Sequence, residues 1–229
     1  MPAILIVGAN RGLGLEFARQ YLDAGYRVFA TAREPERAKE LRQLAEQKPQ
    51  LSVHALEATD ATSVATLARE LAKEPLDIVL HNAGVMGSLD DKIGKINYAG
   101  MLQTLEINTI APLRVAEAFL PNLERGKQKL VAALTSGMGS IAETGGGYYA
   151  YRASKAALNM TIRNFAIEVR DRGVIAVVIN PGWVQTDMGG ASATLKPHES
   201  ISAMRKVFAG LTAADSGTFL DYKGGTLPW

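Results

Sequence analysis

A chain of 229 residues, 47% hydrophobic and 21% charged, can bury the core of one α/β domain and is too ordinary in composition for a disordered or fibrous protein. Its 25 basic and 23 acidic residues leave a formal net charge of +2 spread along the chain, without the clustering that marks a nucleic-acid binder. With no cysteine there is no disulfide framework, no thiolate zinc site and no thiol nucleophile.

The opening apolar run, Ala3-Ile4-Leu5-Ile6-Val7, is too short for a signal segment and lacks a basic flank. No later run approaches the ~20 apolar residues of a membrane span, so a cytoplasmic chain without a membrane partner is expected. The run reads as a first strand over 3–7. Gly8-Ala9-Asn10-Arg11-Gly12-Leu13-Gly14 follows and opens a helix at about 12–24, so that its backbone can approach a pyrophosphate at the helix N-terminus. Alone, a Gly-x3-Gly-x-Gly triad also describes a flexible turn. The second strand, 26–31, runs into Ala32-Arg33. Ala32 stands where a site preferring NAD places an acid for the adenosine ribose hydroxyls, a guanidinium follows at once, and Arg11 can reach the same 2′ position from the glycine turn. Arginine suits phosphate through bidentate, charge-assisted hydrogen bonds, so the pair favours NADP(H), the alternative being two solvated arginines.

Next come a helix over 34–46, a strand over 51–55 and a helix over 61–73, for which Asp60 is the expected cap. The fourth strand, 76–81, closes on Asn82-Ala83-Gly84. A long helix over 95–124 carries Asn108, which near Pro112 can also serve as a bend-stabilising polar group. The fifth strand, 129–135, continues directly into Ser136, whose hydroxyl is thereby placed at the sheet edge, whereas Ser140 follows Gly137-Met138-Gly139 and belongs to a loop. After the Gly-rich stretch Thr144 to Tyr148, a helix over 149–171 puts Tyr151 and Lys155 four residues apart on one face. A tyrosine titrates near ~10, and a cation ~4 Å away at an effective dielectric of ~20 lowers that by up to ~3 units before desolvation is subtracted. By spacing alone the pair also reads as a solvated helix face. The sixth strand, 174–179, closes on Asn180-Pro181-Gly182; an irregular stretch over 182–197 holds Val184 and Thr186, and a helix over 198–209 and a short strand near 218–220 end the series.

This alternation of short β-branched runs with longer amphipathic segments is the pattern of βαβ units, and continuously apolar strands such as Ile175 to Ile179 require helices on both faces. The expected fold is a single-domain, Rossmann-type doubly wound parallel sheet of about seven strands in the order 3-2-1-4-5-6-7, spanning 1–229 without internal repeat or linker. In such a sheet ligands bind outside the carboxyl ends of the strands, where the glycine turn, Asn82, Ser136 and Asn180 all fall. His54, His81 and His198 have no ligand spacing, so no metal is expected.

The glycine spacing, Asn82-Ala83-Gly84, Asn108, Ser136, Tyr151-x3-Lys155 and Pro181-Gly182 together resemble the short-chain dehydrogenase/reductase family across nearly the whole chain. Phe219 to Trp229 and Tyr148 to Tyr151 are similar to its C-factor and Sniffer-like carbonyl reductase branch. The resemblance implies an NADP(H)-dependent oxidoreductase acting on a small carbonyl or alcohol substrate. It implies Tyr151 as proton donor, Lys155 as the group that binds the nicotinamide ribose and lowers the Tyr pKa, Ser136 orienting the carbonyl, and Asn108 anchoring a water relay to Lys155. Pro181-Gly182, the Val184 backbone and Thr186 would hold the carboxamide. Glu57 stands in the family's place for an adenine-contacting Asp, a departure from its pattern. A non-catalytic nucleotide sensor or signalling protein of the same fold is the alternative. Apolar residues in surplus on the two long helices (Leu113, Ala116, Leu120, Ala156, Ala157, Met160, Phe165) lead us to expect a homodimer.

Overall fold

The computed structural model describes residues 1–89 and 91–229. Seven strands, Ala3–Val7 (β1), Arg27–Ala32 (β2), Leu51–Ala55 (β3), Ile78–His81 (β4), Leu130–Leu134 (β5), Ile175–Asn180 (β6) and Phe219–Asp221 (β7), make one sheet in the order β3-β2-β1-β4-β5-β6-β7. All neighbours are parallel. The strands are apolar throughout because their alternate side chains enter two separate cores. Leu5, Val79, Val131 and Ala176 face one side, and Ile4, Leu80, Ala132 and Val177 the other.

Five helices close the first side or extend it: Ala61–Glu70 (α3), Tyr98–Leu105 (α4), Ala111–Ala118 (α5), Leu120–Arg125 (α6) and Tyr149–Glu168 (α7), which contribute among others Val64, Val115, Leu123 and Leu158. Gly12–Asp23 (α1), Lys39–Gln47 (α2) and Pro197–Gly210 (α8) cover the second, through Phe17, Leu41 and Phe208. Phe17, Phe119, Phe208 and Phe219 are fully buried, each worth about 1.5–3 kcal/mol relative to exposure. Asp60 caps α3 by accepting a hydrogen bond from the Thr62 amide at 2.8 Å. Among the described residues no helix is long and apolar enough to cross a membrane.

Two expected helices are subdivided. The segment over 34–46 begins with a 3-10 turn, Pro35–Arg37, before α2. The run over 95–124 is not one helix: α4 passes through a π-helical turn, Glu106–Ile110, into α5, and α6 follows separately. Pro121 sits in the first turn of α6, where a missing N–H costs nothing, so it starts a new helix, whereas Pro112 follows directly on the π turn with helical backbone at Ile110 and Ala111 before it. Register aligns the strand ends: Val7 pairs with His81, His81 with Ala133 and Leu134 with Ile179, so the loops that follow β1, β4, β5 and β6 meet on one edge.

Candidate active site

The loops at that edge enclose a groove of about 760 Å³. Its floor is the turn after β1, where Gly8 and Gly12 hold φ angles of +82° and +56°, a region that favours glycine. A Cβ on Gly8 would come within 2.9 Å of the Ala83 Cβ, and one on Gly14 within 2.0 Å of the Gly8 carbonyl oxygen, so α1 can approach β1 this closely only without side chains there. The Gly8 amide donates to Thr31 Oγ1 at 3.2 Å, and Asn82 Nδ2 donates to the Gly8 carbonyl at 2.6 Å. The turn is thus held from the strands on either side. No side chain caps α1, whose amide end favours an anion.

Exposed Arg33 and Arg37 line the groove beyond β2, next to buried Ala32, with Glu57 to Thr59 opposite. Arg37 pairs with Glu34 at 2.8 Å. Arg11 forms an ion pair with Asp187, joining the glycine turn to the loop after β6. The Glu57 carboxylate accepts hydrogen bonds from the amide and hydroxyl of Thr59 at 3.1 and 2.7 Å and so braces its own turn.

At the other end, α7 presents Tyr151 and Lys155, which are 7% and 5% exposed. The Lys155 ammonium donates to the Leu134 carbonyl at 2.9 Å and lies 5.7 Å from the Tyr151 ring centroid. Ser136 lies two residues beyond β5, hydrogen-bonded to the Tyr151 phenol, and accepts a hydrogen bond from the Met138 amide at 3.1 Å. Burial raises the Tyr151 phenol above its ordinary value, while its hydrogen bond with Ser136 pulls the other way. Burial also pushes the Lys155 ammonium down, to about 8. The sequence led us to expect a phenol lowered by the lysine; burial raises it here instead, and the ammonium is bonded to Leu134. His81, pushed down to about 3 by burial and by the Lys155 charge, is a neutral imidazole in the groove wall.

Asn108 is fully buried in the π turn and not a helix-bending group at Pro112. Its Oδ1 accepts from the Val85 amide at 2.8 Å, while Nδ2 donates to the Val85 carbonyl at 2.8 Å and to Ser154 Oγ at 3.0 Å. It ties the loop after β4 to α7. A Cβ on Gly84 would meet both Asn108 Oδ1, at 3.2 Å, and Lys155 Nζ, at 3.5 Å.

Of the residues anticipated from the sequence, Gly8, Asn10, Arg11, Gly12, Leu13, Arg33, Glu57, Asn82, Ala83, Gly84, Tyr151, Lys155, Pro181 and Thr186 line the groove. Gly14, Asn108, Ser136, Gly182 and Val184 do not: Ser136 reaches the groove only through its hydrogen bond with Tyr151, Val184 is buried and bridges to Leu195, and a Cβ on Gly182 would strike Leu195 and Tyr222. Sequence reasoning missed Thr31, Arg37 and Ser154. Arg37 was detectable as the second arginine in Arg33-x3-Arg37; the bonds of Thr31 and Ser154 join distant segments and leave no local signal.

The model of the short chain dehydrogenase family matches residues 2–196. The chain is 49% identical to "C-signal" of Myxococcus xanthus over 156 residues, which is 68% of this chain and 93% of that protein. Among solved structures, the carbonyl reductase Sniffer of D. melanogaster superposes with a TM-score of 0.94 at 31% identity, covering 100% of both chains. An NADPH-bound carbonyl reductase from chicken fatty liver gives 0.93 at 35%, covering 100% of this chain and 99% of that one. With the glycine turn, the strand order and the matched span in agreement, this chain belongs to the short-chain dehydrogenase family.

Proposed function

We propose that this protein is an NADP(H)-dependent carbonyl reductase, with Tyr151 as the general acid. One observation carries the reading: Tyr151 and Lys155 line the end of the groove begun by the glycine turn, and Ser136 is hydrogen-bonded to the Tyr151 phenol from behind that lining. The groove fits a dinucleotide, since its glycine floor leaves the space that Cβ atoms would fill and its far end carries Arg33 and Arg37 with no acid at Ala32. The chicken enzyme's bound NADPH supports the phosphorylated form. When bound, NADPH supplies the hydride for the carbonyl carbon. Ser136 and Tyr151 hydroxyls then orient the carbonyl oxygen, and the phenol gives it a proton. A phenol raised by burial stays protonated at neutral pH and suits this donor role. The Lys155 cation, 5.7 Å from the ring, stabilises the phenolate left behind. Asn108 orders Val85 and α7 around them.

Val85, Ile141, Tyr148, Trp183 and Met188 are exposed apolar side chains on the loops around this end, which suits apolar carbonyl compounds. We take 1–229 as one cofactor-binding domain acting as a homodimer in the cytoplasm. The likeness to C-signal favours a second reading, a signalling protein in which turnover is secondary.

The purified protein should oxidise NADPH with a panel of aldehydes, ketones and quinones. Tyr151→Phe should bind NADPH within a few-fold of wild type while turnover falls roughly 10²-fold or more. A near wild-type rate would remove Tyr151 from the chemistry, and no turnover with any carbonyl would favour the signalling reading. NADPH should be preferred over NADH by at least ~10-fold in kcat/KM, an advantage that shrinks in Arg33→Ala mainly through a higher KM for NADPH. An unchanged ratio would show that Arg33 does not read the 2′-phosphate.

A further inference from the structure

The chain after β7 turns back on itself. Asp221 accepts hydrogen bonds from the amides of Lys223 and Gly225 at 2.8 and 3.0 Å, Leu220 bridges to Thr226, and the Leu227 amide donates to the Phe219 carbonyl at 2.8 Å. This return strand carries Trp229 to the loop that leaves Ser136. There three donors converge on the Trp229 main-chain oxygen: the amides of Ile141 and Ala142, at 3.1 and 2.9 Å, and the Ser140 hydroxyl, at 3.3 Å. The Trp229 ring is itself fixed between two supports. It packs on fully buried Phe219 with centroids 5.6 Å apart, and the guanidinium of Arg163, on α7, lies 4.9 Å from its centre.

The same loop is anchored at its inner end by Asn159, which accepts from Thr135 Oγ1 at 2.6 Å and donates to the Gly139 carbonyl at 3.4 Å. Gly139 lies so close to α7 that a Cβ there would be 3.0 Å from the Lys155 backbone. Between these two clamps the loop has little freedom, whereas from Ile141 through Tyr148 it is exposed. Ser136 is the first residue of the clamped stretch, and its hydroxyl orientation is set by the Met138 amide.

We propose that Trp229 is a positioning residue for the reaction: by holding Ser140 to Ala142 it keeps Ser136 in register with Tyr151 on α7, an inference that rests on the catalytic reading above. The indole ties β7 and α7 together, so the loop moves with the helix that bears the phenol. A displacement of about 1 Å at a reacting group lowers rates by up to ~10²-fold, and the clamp acts on that scale. The cofactor end of the groove, built from the loops after β1, β2 and β4, has no contact of this kind with Trp229 among the described residues.

Three proteins decide it: wild type, Trp229→Ala and Trp229→Phe, each examined by amide hydrogen exchange over 137–143, NADPH binding, and kcat and KM for a carbonyl substrate. In Trp229→Ala we expect exchange at Ile141 and Ala142 to quicken roughly tenfold, kcat/KM to fall roughly ten- to a hundredfold, and the NADPH Kd to stay within about twofold. Trp229→Phe, which keeps an aromatic ring between Phe219 and Arg163, should recover most of both losses. Unchanged exchange in the alanine variant overturns the proposal, as does quickened exchange with undiminished kcat/KM. NADPH affinity falling in parallel with turnover, or a phenylalanine variant as impaired as the alanine one, also overturns it and assigns Trp229 to general stability. If the alanine variant does not fold, exposed Arg163→Met gives the milder test: a several-fold effect on the same two readouts is expected, and none rejects the clamp. Should wild type reduce no carbonyl, the catalytic reading fails on its own, and with it Trp229's part in turnover; exchange then still shows whether Trp229 holds the loop.

Discussion

Lys155 holds an ammonium group in a nearly closed site with one hydrogen-bond acceptor among the described residues, the Leu134 carbonyl, so its charge is costly. Burial brings its pKa from 10.5 to about 8. Below that value the site is cationic and able to stabilise a phenolate; above it the charge is lost. Carbonyl reduction should therefore decline as the pH rises through about 8, a limb that a kcat/KM profile would reveal and that a flat profile to pH 10 would contradict. The stability sign is opposite. Between about 8 and 10.5 the unfolded chain binds more protons than the folded one, so this group makes the fold more stable as pH rises. Lys155→Met, which removes the buried charge at similar volume, should abolish efficient turnover yet raise Tm, by roughly 2–4 °C for each kcal/mol relieved. A lower Tm would mean that the bond to Leu134 outweighs desolvation. Tyr151 and Lys155 were legible as a spaced pair in one helix. Their protonation balance was not, because it depends on burial by segments far away in sequence.

The π turn Glu106–Ile110 is the element that makes Asn108 useful. Its position between α4 and α5 turns one amide side chain toward both Val85 and Ser154. Asn108→Leu keeps the volume but strands the Val85 amide and carbonyl, and unsatisfied groups of this kind cost ~1–3 kcal/mol each. We expect a loss of about 2–4 kcal/mol in urea unfolding, reduced where water reaches partly exposed Val85. A loss below ~1 kcal/mol would show that the bridge is dispensable. The strands were readable in the chain, most to within a residue or two of their ends, since continuous apolar runs have few other solutions. The break of the long helix was signalled only in part. Pro121 marks a new start, but the π turn has no proline or glycine of its own to announce it.

At the scale of the whole molecule, exposed apolar residues gather on the helices that the sequence singled out, though not in the pattern expected. Ala116, Leu120 and Phe165 are buried in the core. Met160, one of the residues anticipated, is exposed, and Tyr98, Leu102, Ile110 and Ile167, which were not, are exposed with it on α4, the π turn and α7. We expect light scattering at micromolar concentration to give twice the 24.5 kDa of one chain, and Leu102→Glu to shift the species toward monomer. A monomeric wild type would refute the dimer.

The sequence by itself determined the sheet and its contents: apolar strands separated by amphipathic segments can be buried only between two helical layers, and the glycines after β1 admit few other conformations. It also determined which chemical groups reach the carboxyl edge, because a parallel sheet delivers every strand end there. Tertiary structure alone decided how those groups are held and charged. Thr31 on the glycine turn, Ser154 on Asn108, Asp187 on Arg11 and Trp229 on the Ser140 loop are contacts between residues 23, 46, 176 and 89 positions apart. Such pairs are set by the folded path of the chain, which local spacing and composition do not encode.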